Sequence, residues 1–474
     1  MIKFGTGGWR AVIGDDFTRE NICKVAQAVS DILIQDKKTD KPVMIGFDRR
    51  FLSEAAVKWL CEVFAANGIS TLRMNRSAPS PLIMHTVMKL ELYCGIEVTA
   101  SHNPPEYDGL KIIVEEGRDA PVEVTDRIEA FIAKQKGFSR MDYDQAVSEG
   151  LVKYVPNPFN PFIDDILSVL DQKAIRQRGL RVLFDPMHGS GTYPLLVILN
   201  TCRCTVDLIN SNKDAYFEGL YPAPSEDTLR ELSDKVVKGK YDMGLAFDGD
   251  GDRLSIIDAK GRYVSMNEIL AMLYWYLHEK KGWKGPVVKN LCTTGVLDRM
   301  ASAFGEKCIE VPVGFKWVSS AIDKYDAVMG GESSGGLTIR GHIHGKDAVY
   351  AASLVVEMIC VTGMSIEEIS AHIGDRYGFT SFVEKAVRFR PDDKGKITHA
   401  LMEEKKVPYF GSSVEKVGYM DGCKVYFKDG SFVSCRFSGT EPLLRFIAEA
   451  DEKSKAASYI KAFEDLVEEV VRSN

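Results

Sequence analysis

The sequence predicts three similar α/β mixed-sheet domains followed by a C-terminal α+β domain, set around a central cleft. Strand-like runs alternate with helix-like ones through roughly the first three quarters of the chain, the pattern of an α/β layer fold. A Pro- and Asn-rich stretch, Val155-Pro156-Asn157-Pro158-Phe159-Asn160-Pro161, marks a linker after the first such block. The tail then abandons the alternation for consecutive strands and one closing helix. A length of 474 residues agrees, since one core rarely organises more than roughly 100–200 residues.

Taken in order, Ile22, Val25, Ala26, Val29 and Leu33 recur at helical spacing and precede a strand at 42–47. A helix over 53–66 stops at Gly68, and strands follow at 71–74 and 93–99. Beyond the linker, a helix from Phe162 and a strand at 181–184 open a second block that ends with a strand at 243–247. An amphipathic helix at 267–278 opens a third, with strands at 287–291, 308–313 and 327–329 and a helix from 347 to about 360. In the tail, strands at 424–427 and 432–437 flank the hairpin signal Asp429-Gly430, and another strand covers 443–448. Tyr459, Ile460, Phe463, Leu466, Val467 and Val470 then share one helix face. The expected domains are 1–155, 156–256, 257–372 and 373–474.

Composition narrows the function. Hydrophobic residues at 45% and charged residues at 27% exclude a disordered or fibrous chain. Sixty Lys+Arg against 67 Asp+Glu give a formal charge of −7, which argues against nucleic acid as a partner. Ten cysteines include no C-x-x-C pair, so free thiols in a reducing compartment are expected. The first residues lack a signal-peptide h-region, and the apolar run 269–277 is under half of the roughly 20 residues a membrane span needs. A cytoplasmic protein without membrane contact is expected.

Four loops carry chemistry. Thr99-Ala100-Ser101-His102-Asn103-Pro104 follows a strand, at the sheet edge where α/β proteins place ligands. It offers a hydroxyl beside an imidazole, though a polar turn would read the same way. Asp248-Gly249-Asp250-Gly251-Asp252-Arg253 sets carboxylates at alternate positions on a glycine-rich turn. Three crowded aspartates call for a cation, and all-oxygen ligation without His or Cys favours Mg²⁺. Arg253 and Ala259 stand where an EF-hand needs Gly and Glu, which excludes that calcium loop.

Gly331-Glu332-Ser333-Ser334-Gly335-Gly336 suits hydrogen bonding to sugar hydroxyls, and equally reads as an ordinary glycine-rich turn. It also matches the G-x-S-x-G elbow of serine hydrolases, with Ser333 as nucleophile and His342 or His399 as partner, but the extended look of 337–339 opposes the helix that motif requires. Arg436-Phe437-Ser438-Gly439-Thr440-Glu441-Pro442 offers one guanidinium, two hydroxyls and a glycine amide that suit a phosphate cradle, though a tight turn between strands would read the same way. There is no P-loop lysine motif.

Together with Gly5-Thr6-Gly7-Gly8-Trp9-Arg10, these loops resemble, in order and kind, the motifs of the α-D-phosphohexomutase family, which includes phosphoglucomutase and phosphomannomutase. The resemblance spans essentially the whole chain. It implies a phosphoserine at Ser101, and Mg²⁺ held by Asp248, Asp250, Asp252 and a Ser101 phosphoryl oxygen. Arg10 and Arg253 would add positive charge, and His102 or Lys111 would accept the sugar hydroxyl proton. Lys111 is preferred, with a pKa depressed by neighbouring cations. Glu332 and Ser334 would read the sugar, Gly314, Lys316 and Lys346 would face the substrate, and Arg436, Ser438, Gly439 and Thr440 would grip the phosphate that is not reacting.

The implied reaction interconverts hexose 1-phosphate and hexose 6-phosphate through a hexose 1,6-bisphosphate, with glucose the expected sugar. A phosphomannomutase, a dual-specificity enzyme and a non-catalytic phosphosugar-binding protein are the alternatives. Ser333 and Ala348 depart from common family residues at their positions, which bears on the choice of sugar. A small phosphosugar is the expected partner, a monomer or homodimer the expected state, and the region 379–391 the expected hinge for closure of the last domain.

Overall fold

The computed structural model describes residues 2–5, 7–378, 380–438 and 442–472. The chain forms two compact units, Met1–Met266 with Ser334–Glu367 and Asn267–Ser333 with Glu368–Asn474.

The first unit contains two sheets. One is ordered Phe4–Gly5, Gly8–Val12, Tyr107–Val114, Cys94–Val98, Val43–Phe47, Thr71–Arg73 and Val152–Tyr154, with Arg118–Asp119 paired outside that path. Its centre is parallel, from Cys94–Val98 through Val43–Phe47 to Thr71–Arg73, while Tyr107–Val114 is antiparallel to both its neighbours, Cys94–Val98 and Gly8–Val12. Central strands of this kind bury both faces, and every residue of Val43–Phe47 and Cys94–Val98 is buried. The helix Arg19–Gln35 begins where Thr18 caps the Asn21 amide, and Ser53–Ala66 occupies the span its periodicity predicts.

The second sheet runs Thr205–Leu208, Arg181–Asp185, Met243–Phe247, Leu254–Asp258 and Tyr263–Val264. Met243–Phe247 pairs antiparallel with Leu254–Asp258, so residues 248–253 are the turn between them. This sheet continues to Val264, beyond the domain edge expected at 256. The apolar helix Ala348–Thr362 is buried over most of its length within this unit.

The second unit holds three parallel strands, Cys308–Val311, Val287–Asn290 and Met329–Gly331. A five-stranded antiparallel sheet follows, ordered Ser381–Arg388, Leu443–Ala450, Phe432–Phe437, Cys423–Phe427 and Val414–Gly418. The helix Lys453–Arg472 covers it, packing Tyr459, Ile460, Phe463 and Val467 into its core. Leu291, Cys292, Phe432 and Ile447 form a separate apolar cluster between the parallel strands and this sheet.

Several expectations change. The helix Phe159–Val169 starts inside the predicted linker, because Pro161 in a first helical turn loses no hydrogen bond. The third block's last parallel strand is Met329–Gly331 rather than 327–329, Gly331 having read as the start of a turn. Most of the expected hinge region is strand: Ser381–Arg388 pairs along all eight residues with Leu443–Ala450. All ten cysteines are free and eight are buried. Among the described residues no single helix is long and apolar enough to cross a membrane.

Candidate active site

Ser101 lies just past the carboxyl end of Cys94–Val98, almost fully buried, with a left-handed φ of 52°. A non-glycine residue held there carries local strain that the surroundings must enforce. Its amide donates to Thr99 Oγ1 at 2.9 Å, and its hydroxyl donates to Asp248 Oδ2 at 2.9 Å. Sequence neighbours rarely point side chains together, yet here His102 Nδ1 stands 3.3 Å from Ser101 Oγ. Arg10 Nη1 donates to Asn103 Oδ1 at 2.7 Å, tying the strand Gly8–Val12 to the same loop.

Asp248, Asp250 and Asp252 are all buried, with one oxygen from each within 4.8 Å of the others. Asp248 Oδ1 accepts the amides of Asp252 and Arg253 at 3.0 Å, fixing the turn. Ser80 Oγ donates to Asp250 Oδ2 at 2.7 Å. Two further oxygens, Asp250 Oδ1 and Asp252 Oδ1, are buried without a hydrogen-bond donor. A buried carboxylate oxygen left without a donor is costly unless a cation serves it. Three carboxylates with no His or Cys in the cluster therefore fit a hard divalent cation such as Mg²⁺.

Two lysines already offset part of this charge. Lys111 Nζ stands 3.1 Å from both Asp250 Oδ2 and Asp252 Oδ2, and Lys346 Nζ 2.8 Å from Asp252 Oδ2. Burial, then the charges of Asp250 and Asp252, raise the Asp248 carboxyl well above its ordinary value. Burial and the Asp252 charge also push Asp250 up, but Lys111 and Lys346 outweigh them and hold it low. Burial opposes Asp252 as well, and Lys346, Lys111 and Arg253 overcome it.

Lys111 differs from expectation. Burial lowers its pKa, but Asp250 and Asp252 prevail and hold it well above the ordinary lysine value, so it is a firmly charged ammonium. The His102 imidazole is the opposite case. Burial, aided by the charges of Arg253, Arg10 and Lys346, pushes it down to about 2 and keeps it neutral. Arg253 also reaches the Ser334 carbonyl through Nη1 at 3.1 Å, which brings that part of the glycine-rich turn beside the acidic loop.

The other expected residues lie in the second unit. Glu332 is buried, and its Oε1 accepts Asn290 Nδ2 and the Gly314 amide, each at 2.9 Å. Lys316 lies in the first turn of Phe315–Tyr325, its ammonium 5.5 Å from the Trp317 ring centre. Arg436 projects from Phe432–Phe437 with Nη2 3.3 Å from Asp421 Oδ2, and the Ser438 amide donates to the Leu443 carbonyl at 2.8 Å. Gly439 and Thr440 lie outside the described residues. The serine-hydrolase alternative loses its premise, since a strand at Leu337–Ile339, rather than a helix, follows Ser333.

Sequence reasoning missed the residues that build the serine loop. Arg50, fully buried, donates from Nη2 to the carbonyls of Ser101 and Asn103, and from Nη1 to those of Pro104 and Tyr107, all within 2.9 Å. Asp48 accepts Thr99 Oγ1 at 2.7 Å and stands 3.3 Å from Arg50 Nε. The available signal was Asp48-Arg49-Arg50 directly after a buried strand, charges that an ordinary turn would leave exposed. Ser80, which accepts from Lys111 at 2.9 Å, gave no signal of its own.

Four models of one family match successive segments. They are the phosphoglucomutase/phosphomannomutase α/β/α domains I (residues 1–137), II (160–261) and III (265–377) and the C-terminal domain (387–466). A phosphoglucomutase/phosphomannomutase of Thermococcus kodakarensis is 28% identical over 99% of each chain. A protein of Pyrococcus abyssi named as a probable phosphoglucosamine mutase is 30% identical over 99% of this chain and 98% of its own. A crystal structure from Thermus thermophilus, bearing a provisional phosphomannomutase name, superposes with a TM-score of 0.85 at 26% identity, over 98% of this chain and 99% of that one. With its fold, its serine loop and its buried aspartate triad accounted for, the chain belongs to the phosphoglucomutase/phosphomannomutase family of α-D-phosphohexomutases, which are isomerases.

Proposed function

We propose that the protein interconverts hexose 1-phosphate and hexose 6-phosphate, with glucose the preferred sugar, through a phosphorylated Ser101 and a hexose 1,6-bisphosphate. The observation that carries this is the Ser101 hydroxyl, buried in a strained turn 2.9 Å from Asp248, in an aspartate cluster paired to Lys111 and Lys346 and with the charges of Arg10 and Arg253 acting on the adjacent His102. Phosphoryl transfer asks chiefly for positioning and charge neutralisation, which such a set of cations supplies.

In the forward step the Ser101 Oγ–P bond breaks as a new bond forms to the free hydroxyl of the bound hexose phosphate. The hydroxyl proton passes to a side chain of the site, where His102 is neutral and Lys111 is charged. After the bisphosphate turns over, its other phosphate returns to Ser101, so one site must hold the sugar in two opposite orientations. Mg²⁺ bound by Asp248, Asp250 and Asp252, with a phosphoserine oxygen, would supply Lewis-acid stabilisation of the phosphoryl oxygens.

Glu332 and Ser334 would read the ring hydroxyls that exchange places when the sugar turns over, and Gly314, Lys316 and Lys346 would face the substrate. Arg436, Ser438, Gly439 and Thr440 would hold the phosphate at the unreacting end. The division 1–155, 156–256, 257–372 and 373–474 gives each loop its own domain; the four matched family segments support the number and order of domains, with the second edge moved from 256 to between 261 and 265.

Intact-mass analysis tests the covalent step: one phosphate of added mass is expected, absent from Ser101→Ala, and full activity in Ser101→Ala overturns the mechanism. Relatives carry glucose, mannose and glucosamine names, so kcat/KM should be compared across those three hexose 1-phosphates with catalytic bisphosphate and Mg²⁺. A clear win for mannose or glucosamine corrects the sugar and leaves the mechanism standing.

A further inference from the structure

Asp421, which no catalytic or binding motif includes, places one carboxylate oxygen between two loops of the second unit. Its Oδ2 accepts the Val313 amide at 3.1 Å and stands 3.3 Å from Arg436 Nη2. The next amide, that of Gly314, donates to Glu332 Oε1 at 2.9 Å. Two consecutive backbone amides are thus held by two carboxylates. One belongs to the loop read as sugar-binding, and the other is paired to the guanidinium read as phosphate-binding.

The turn carrying Asp421 is shaped for this approach. Gly422 has φ 86°, and a Cβ there would collide with the Cys435 carbonyl and come within 2.7 Å of Arg436 Cβ. Only glycine therefore lets the turn lie against the Arg436 backbone. Arg436 itself is only partly satisfied: its Nε is buried with no hydrogen-bond partner, while Nη2 faces Asp421. A guanidinium anchored at one end with a buried donor unspent is prepared for an anionic oxygen.

We propose that Asp421 is a positioning residue for Arg436: it fixes the guanidinium against the Val313 backbone, so that Arg436 meets the unreacting phosphate in one set geometry, registered to the Glu332 that reads the sugar. This rests on the reading of Arg436 as a phosphate ligand. A site that must take either end of a phosphosugar gains most from a donor whose place does not vary, because ordering the arginine during binding would weaken affinity. The hold acts on ground state and transition state alike, so its loss appears in KM more than in kcat.

The test is a double-mutant cycle on the full-length enzyme with glucose 1-phosphate, with calorimetric binding of glucose 6-phosphate as a second readout. Asp421→Asn should raise KM and the glucose 6-phosphate Kd about tenfold and change kcat less than threefold, while Asp421→Glu restores part of the loss. Arg436→Ala should raise KM further, and Asp421→Asn added to it should have no additional effect, the mark of a residue acting through another. An undiminished effect in the Arg436→Ala background, or an unchanged KM and Kd in Asp421→Asn alone, overturns the proposal. If Arg436→Ala itself leaves KM and Kd unchanged, the phosphate-ligand reading fails and the proposal falls with it.

Discussion

Arg50 Nη2 lies 2.6 Å from the carbonyl oxygen of Ser101. Through this contact and three further carbonyls, one buried guanidinium sets the backbone of the serine loop, and Asp48 balances its charge. A lysine offers one compact ammonium and cannot span four carbonyls. Arg50→Met should lower kcat/KM by roughly 100-fold or more through misplacement of Ser101. Loss of one partner from a buried pair should also cost about 3–5 kcal/mol of stability. Arg50→Lys should fall between wild type and Arg50→Met in both steady-state kinetics and thermal melts. Wild-type activity in Arg50→Met would refute the clamp.

Lys346 and Lys111 act in the structure as counter-ions to the aspartates, and a bound divalent cation would share that charge with them. Removing one positive charge should strengthen metal binding through reduced repulsion, by roughly tenfold at the effective dielectric of a partly buried site. Titration calorimetry of Lys346→Met with Mg²⁺ should show the tighter binding even as kcat/KM falls. Chelation of the metal should abolish turnover while leaving the fold intact by circular dichroism. Weaker Mg²⁺ binding in Lys346→Met would contradict the counter-ion role.

Gly109 sits where the strands Gly8–Val12 and Tyr107–Val114 pair, between the candidate catalytic residues Arg10 and Lys111. A Cβ there would meet the backbone carbonyl of Trp9 and, at 2.9 Å, that of Thr99. Backbone atoms in a paired sheet cannot yield as a side chain can. Gly109→Ala should therefore destabilise by about 3 kcal/mol or more, the range of serious overpacking. Gly395, in the short helix Lys394–Thr398, has nothing within 4 Å of its virtual Cβ. Gly395→Ala should be neutral or stabilising by up to about 1 kcal/mol, and the two melts run side by side give the contrast.

Asp185 ends the strand Arg181–Asp185 and accepts the Met187 amide at 2.7 Å and Asn210 Nδ2 at 3.0 Å. Burial outweighs these bonds and raises its pKa to about 6. The folded protein then keeps the proton to about pH 6, whereas the unfolded chain releases it near ~4. The native state holds more protons between these values, so stability from this group is complete below the unfolded pKa and is lost as pH rises through the folded one. Asp185→Asn, neutral at every pH, should gain on wild type by roughly 1–3 kcal/mol at pH 7.5, with the difference shrinking toward pH 5. Thermal midpoints across that range provide the measurement. A difference that does not change with pH would show that the carboxylate is not penalised.

The motifs, their order and the chemistry of their residue types were legible in the sequence, because strand–loop–helix periodicity and acidic or glycine-rich composition are local properties. Ser53–Ala66 and Phe432–Phe437 follow the spans their patterns predict. Tyr107–Val114 did not announce itself, because a strand buried on both faces carries no alternation. Burial and pairing belong to the fold alone. Lys111 reads in sequence as a base with a depressed pKa, and only its two carboxylate neighbours reverse that direction. His102 beside Ser101 reads as an accident of adjacency until the left-handed turn brings both to one point. The sequence determined which groups the protein owns and, by their local spacing, the elements that carry them. The tertiary structure decided which charges meet, because Coulomb energy and desolvation depend on distances between residues far apart in the chain.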